Sequence, residues 1–84
     1  METRDSVQFD RDFKVRQETI AAGTPAVVLK VNRPDRLANV LCRVDGMLFE
    51  YQNIPQRVLV PGPRNRRLNA LIRLEGIEFP DDGV

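Results

Sequence analysis

The chain has 84 residues, with 13 basic and 12 acidic side chains and a formal charge of +1, so no global field draws it to nucleic acid or an anionic membrane. It contains no histidine, one cysteine (Cys42) and one serine (Ser6), which excludes Ser–His and Cys–His activation and removes the commonest general acid–base. A lone thiol forms no internal disulfide, and no second thiol or histidine completes a zinc site, so no cofactor or metal is expected.

A chain near this length buries roughly 60–65% of its unfolded surface, and small domains often supplement a thin core by oligomerising or docking. Residues 1–7 are polar and charged, without the basic start and apolar run of a secretory signal. No stretch approaches the ~18 apolar residues of a membrane span. With one unpaired thiol, the chain is expected to be soluble, cytoplasmic and without a membrane role.

From Val7 to Thr19, Val7, Phe9, Phe13 and Val15 occupy alternate positions while every even position is polar. This is strand periodicity, in one long strand or two short ones with a kink at Asp10–Asp12. Asp10 and Asp12 would share a face and a possible cation, although their spacing matches no calcium loop. Ala22–Gly23–Thr24–Pro25 predicts a turn, and Ala26–Asn32 a strand with Val27, Leu29 and Val31 on one face and Val28, Lys30 and Asn32 on the other.

Asp45–Gly46 is a two-residue hairpin signal, because a type I′ turn needs positive φ at both central residues. A turn closed there sets Val44 against Met47, Cys42 against Phe49 and Val40 against Tyr51 on an inward face. Arg43 with Leu48, and Leu41 with Glu50, fall on the other. Leu37, Val40, Leu41 and Val44 also fit a helical stripe, but the hairpin is preferred because Met47–Tyr51 needs a neighbouring strand.

Gln52–Gln56 predicts a turn and Arg57–Pro61 a short strand at an edge. Pro61–Arg67 is the longest loop signal. Leu68, Ala70, Ile72 and Leu74 then alternate as a strand, with a β-bulge at Gly76 before Ile77 and Phe79. The rival is a helix over 66–75 capped by Asn65, which would place Arg67 and Glu75 in or beside its apolar arc. The fold expected is therefore all-β, a small antiparallel sandwich or barrel of about 6–7 short strands. The alternative is α+β, with a helix at 35–45 and/or 66–75. Residues 1–84 form a single domain with a polar N-terminal arm (1–6) and an acidic C-terminal tail (80–84).

Charge is segregated. Between Tyr51 and Leu74 the charged residues are Arg57, Arg64, Arg66, Arg67 and Arg73; after them come Glu75, Glu78, Asp81 and Asp82. The arginines form a candidate partner-binding set, since the planar guanidinium suits interfaces and ion-pair networks, and the four acids form an acidic patch. No phosphate-cradling glycine motif occurs, and no aromatic lies between Tyr51 and Phe79 to stack on a base. The expected function is a non-enzymatic protein-interaction or assembly module, docking on a larger protein or forming an oligomer. In size and class it compares with phage particle accessories and small inhibitory proteins. The alternative is a small β-barrel binding RNA or DNA through the arginine loop 61–67.

Overall fold

The computed structural model describes residues 1–44 and 46–76. Seven strands follow in chain order: β1 (Ser6–Phe9), β2 (Phe13–Val15), β3 (Glu18–Ile20), β4 (Pro25–Asn32), β5 (Leu37–Val44), β6 (Met47–Pro55) and β7 (Leu59–Pro61). A 3-10 turn spans Gln56–Val58, and the one α-helix among the described residues, α1, spans Arg66–Leu74. Five strands form an antiparallel sheet in the order β6-β5-β4-β1-β7, and β2 pairs with β3 in a separate ribbon. The β-rich antiparallel class read from the sequence is the observed one. Among the described residues, no helix is long and apolar enough to cross a membrane.

Strand alternation divides the apolar side chains between two faces of the large sheet. On one face lies the main core, which includes Val7, Phe9, Ala26, Val28, Val40, Cys42, Tyr51 and Ile54. The β2–β3 ribbon packs there through Ile20, Phe13 and Val15, and the Tyr51 hydroxyl donates to Glu18 Oε2 at 3.2 Å. On the opposite face, Val27 and Leu41 form a smaller cluster with Leu68 and Ile72 of α1, joined by Leu29 and Leu48.

The Asp45–Gly46 register is the observed one: Val44↔Met47, Arg43↔Leu48, Cys42↔Phe49, Leu41↔Glu50 and Val40↔Tyr51. Gly46 has φ +79°, the conformation that the turn requires, and a side chain there would be strained. Residues 35–44 are thus turn and strand, not helix, and Asp45 lies outside the described residues.

Five local expectations are corrected. The segment 13–20 is a tight ribbon rather than a continuing strand, turned at Arg16 with φ +57° and no glycine to announce it. In β4, a register shift between Val28 and Lys30 leaves Leu29 unpaired and slips the alternation. Val31 therefore packs with Val28 in the main core, not beside Val27. Gln52–Gln56 is not a turn: β6 continues to Pro55 through a bulge at Asn53 (φ +58°), whose N–H donates to Asn39 Oδ1 at 3.1 Å.

The fourth correction is Leu68–Leu74, which is helical. Asn65 Oδ1 accepts the Leu68 N–H at 2.9 Å, satisfying a first-turn donor. Fifth, Gly76 (φ +66°) follows the helix end and bonds back to the Arg73 carbonyl at 3.2 Å, in place of the expected bulge. Only Leu68 and Ile72, one turn apart, are buried, so the dry stripe is narrow. Arg67 in the first turn and Glu75 at the C-cap stay exposed, which removes the objection to a helix.

The N-terminal arm lies along β4. The Arg4 N–H donates to the Val28 carbonyl at 2.7 Å and the Val28 N–H to the Asp5 carbonyl at 3.0 Å. The expected bulge partners Ile77 and Phe79 and the tail 80–84 lie outside the described residues.

Candidate functional site

The arginine set is positioned by the connection from β7 to α1. Gly62 N–H donates to the Ser6 carbonyl at 3.1 Å, and a Cβ at Gly62 would stand 3.0 Å from the Val7 carbonyl carbon. A side chain here would force the loop or β1 to give by a few tenths of an ångström. Pro63 then leads into the Asn65 cap, so Arg64 sits in the loop while Arg66 and Arg67 occupy the first turn of α1.

Arg64, Arg66 and Arg67 line one shallow recess of about 400 Å³ with Gln8, Gly23 and Pro25. Arg64 also lines an open groove of about 1120 Å³ between α1 and the β1–β7 side of the sheet, where Arg73, Asn69, Ser6 and Val27 meet it. Arg64 is thus shared by two recesses, one that it lines with Arg66 and Arg67 and one that it lines with Arg73. Arg57, in the 3-10 turn, lines neither recess. All five are exposed, and none has an ion-pair partner among the described residues.

Of the acidic patch, Glu75 is exposed at the C-cap of α1; Glu78, Asp81 and Asp82 lie outside the described residues. The first turn of α1 carries cations and no acid, against the helix dipole, and Glu75 stands at its negative end. Arg73 in the last turn suits the dipole, whereas Arg66 and Arg67 place positive charge at the N-terminal end without serving the helix's own stability.

The other residues singled out by sequence are occupied structurally. Asp10 is held by Arg11, with Nε to Oδ1 at 2.7 Å and Nη2 to Oδ2 at 3.0 Å, and this hydrogen bond lowers its pKa from the ordinary carboxylate value. Asp12 Oδ1 accepts the Ala22 N–H at 2.8 Å. The two do not converge, and among the described residues no group of three potential ligands is arranged to hold a metal. Cys42 is fully buried, and burial pushes its thiol up to about 12, so it is a protonated core group at neutral pH.

A second surface was not visible in the sequence. Met47 is 63% exposed and Phe49 39%, although both belong to the apolar side of the β5–β6 hairpin. The β2–β3 ribbon reaches Tyr51 but leaves the hairpin end beyond it uncovered. Phe49 leans on Tyr51 with ring centroids 6.4 Å apart and planes tilted 34°.

β6 is also the outermost strand. A two-residue loop closes on a hydrogen-bonded pair, Val44 with Met47, so Phe49 and Tyr51 also turn their peptide groups toward β5. Leu48, Glu50 and Gln52 turn theirs outward, where no strand among the described residues pairs with them. Natural sheets guard such edges with lysine, proline or bulges. Here the bulge at Asn53 and Pro55 guard one end only, leaving Met47–Gln52 open among the described residues. The opposite edge, β7, is three residues long and ends at Pro61.

Comparison with family models, curated proteins and solved structures finds no match to this chain.

Proposed function

We propose that this chain is a non-catalytic protein-association module that engages its partner by strand addition along β6. The observation that carries this reading is an open edge bearing two exposed apolar side chains, Met47 and Phe49. Main-chain hydrogen bonds along such an edge supply affinity, and alternate side chains supply selectivity. The arginines at α1 add orientation and steering toward an acidic surface, since rim charges act mainly on encounter and register. The absence of histidine and the burial of Cys42 support a role without chemistry of its own, and a lone free thiol suits a reducing, cytoplasmic setting.

The test is recovery of tagged protein from its native cells, comparing wild type with Met47→Lys and Phe49→Lys. Loss of the associated chain, with an unchanged circular dichroism spectrum, supports the reading. Identical associated proteins from all three would refute it.

A second reading, binding of RNA or DNA, is favoured by the convergence of Arg64, Arg66 and Arg67 on one recess. No aromatic lines that recess, so the contact would be to phosphates, with a steep salt dependence. Salt-dependent retention on an oligonucleotide column that disappears in the Arg64→Glu, Arg66→Glu variant supports this alternative. Retention unchanged by the substitutions excludes it.

A further inference from the structure

The β6 edge can be read for the identity of its occupant. An edge strand meets a second copy of itself antiparallel, about a two-fold axis, and outward-facing peptide groups must meet outward-facing peptide groups. Leu48, Glu50 and Gln52 supply those groups, so the axis falls at one of the residues from Leu48 to Gln52.

An axis at Glu50 sets Glu50 against its own copy, and like charges directly opposite are destabilising. At Tyr51 or Gln52 the axis brings the Asn53 bulge into the new ladder, and at Leu48 it shortens the ladder at Gly46. An axis at Phe49 avoids all of these. Phe49 then meets Phe49 of the second copy in the close, non-hydrogen-bonded arrangement, and each Met47 meets a Tyr51. On the other face each Leu48 meets a Glu50.

Charge complementarity supports the same register. Arg43 is the cross-strand neighbour of Leu48 on β5, and both Arg43 and Glu50 are exposed. Pairing at Phe49 places Glu50 of one copy two strands from Arg43 of the other, about 9.6 Å at the usual strand spacing. Two such long side chains span that gap, and the two-fold repeats the pair.

We propose that the occupant of the β6 edge is a second copy of this chain, paired antiparallel about a two-fold axis at Phe49 to give one continuous ten-stranded sheet. This rests on the reading of β6 as an association edge. It covers Met47 and Phe49, the most exposed large apolar side chains of the sheet.

Sedimentation or light scattering across a concentration series tests it. The mass of wild type should rise from 9.6 kDa toward twice that value. Met47→Lys and Phe49→Lys should stay at the lower mass with an unchanged circular dichroism spectrum. In a Cys42→Ala background, Phe49→Cys should form a disulfide-linked dimer under mild oxidation, and Glu50→Cys at least about tenfold less, because its thiols would lie diagonally, ~7–8 Å apart. A wild type that stays at 9.6 kDa throughout overturns the proposal. So does a dimer indifferent to both lysines, or one in which Glu50→Cys cross-links better than Phe49→Cys. If wild type is monomeric but the lysine variants lose an associated protein from cells, strand addition stands and only the second-copy inference falls.

Discussion

Leu68→Ala should undock α1 while leaving the five-stranded sheet folded. Leu68 is fully buried and is one of only two buried residues on the helix, the other being Ile72. Truncation to alanine removes three carbons, about 2.4 kcal/mol at ~0.8 kcal/mol per buried methylene, and the cavity left behind brings the usual cost to about 3–5 kcal/mol. A nine-residue helix does not persist in water without its docking face. The main core is built from twelve buried residues on the far face of the sheet, and none of them lies on α1. The loss should therefore be local. Limited trypsin digestion should show fast cleavage at Arg66, Arg67 and Arg73, and circular dichroism should show helix loss before the sheet melts. A single cooperative unfolding transition, with α1 as protected as in wild type at temperatures below it, would refute the separate docking of the helix.

Three further outcomes follow from named contacts. Gly46→Val should destabilise by about 1–3 kcal/mol in urea titration, because a β-branched residue is strained at φ +79°. Cys42 makes the protein sensitive to alkali. Its thiol is raised from 9.0 to about 12 in the folded state, so its contribution is full below pH 9 and is lost as pH rises from there. The loss should reach about 2 kcal/mol near pH 10.5, and Cys42→Ala should flatten this slope while lowering stability at pH 7. Burial and the Glu18 hydrogen bond raise Tyr51 as well, so part of the decline above pH 10 should survive in that variant. Finally, Arg64→Glu with Arg66→Glu should change the melting temperature little, because neither has an ion-pair partner among the described residues, while weakening association at low salt.

Much of the sheet was legible because its signals are local. Asp45–Gly46 fixes the β5–β6 register outright, and a one-residue slip would have reversed every side chain. The turn at Ala22–Pro25 and the edge position of the strand ending at Pro61 were legible for the same reason. What was lost was phase. Leu29 and Asn53 shift the register without a glycine or proline to mark the place, and Arg16 turns the ribbon in a left-handed conformation that the sequence does not advertise. In α1, Leu68, Ala70, Ile72 and Leu74 imitate a strand. The helix in fact buries Leu68 and Ile72 and leaves Leu74 82% exposed. The arginine cluster was readable because it is contiguous in sequence. The β6 edge was not, since it depends on β1 inserting between β4 and β7, a long-range choice that leaves β6 without a second neighbour among the described residues.

The most direct test of the association edge is amide hydrogen exchange at Leu48, Glu50 and Gln52, whose N–H groups point away from β5. In dilute protein these amides should exchange as exposed groups, while those of Phe49 and Tyr51 stay protected by β5. Raising the protein concentration should protect the outward set selectively, and Phe49→Lys should abolish that protection. Exchange at Leu48, Glu50 and Gln52 that is the same at every concentration would contradict the pairing of this edge with a second copy.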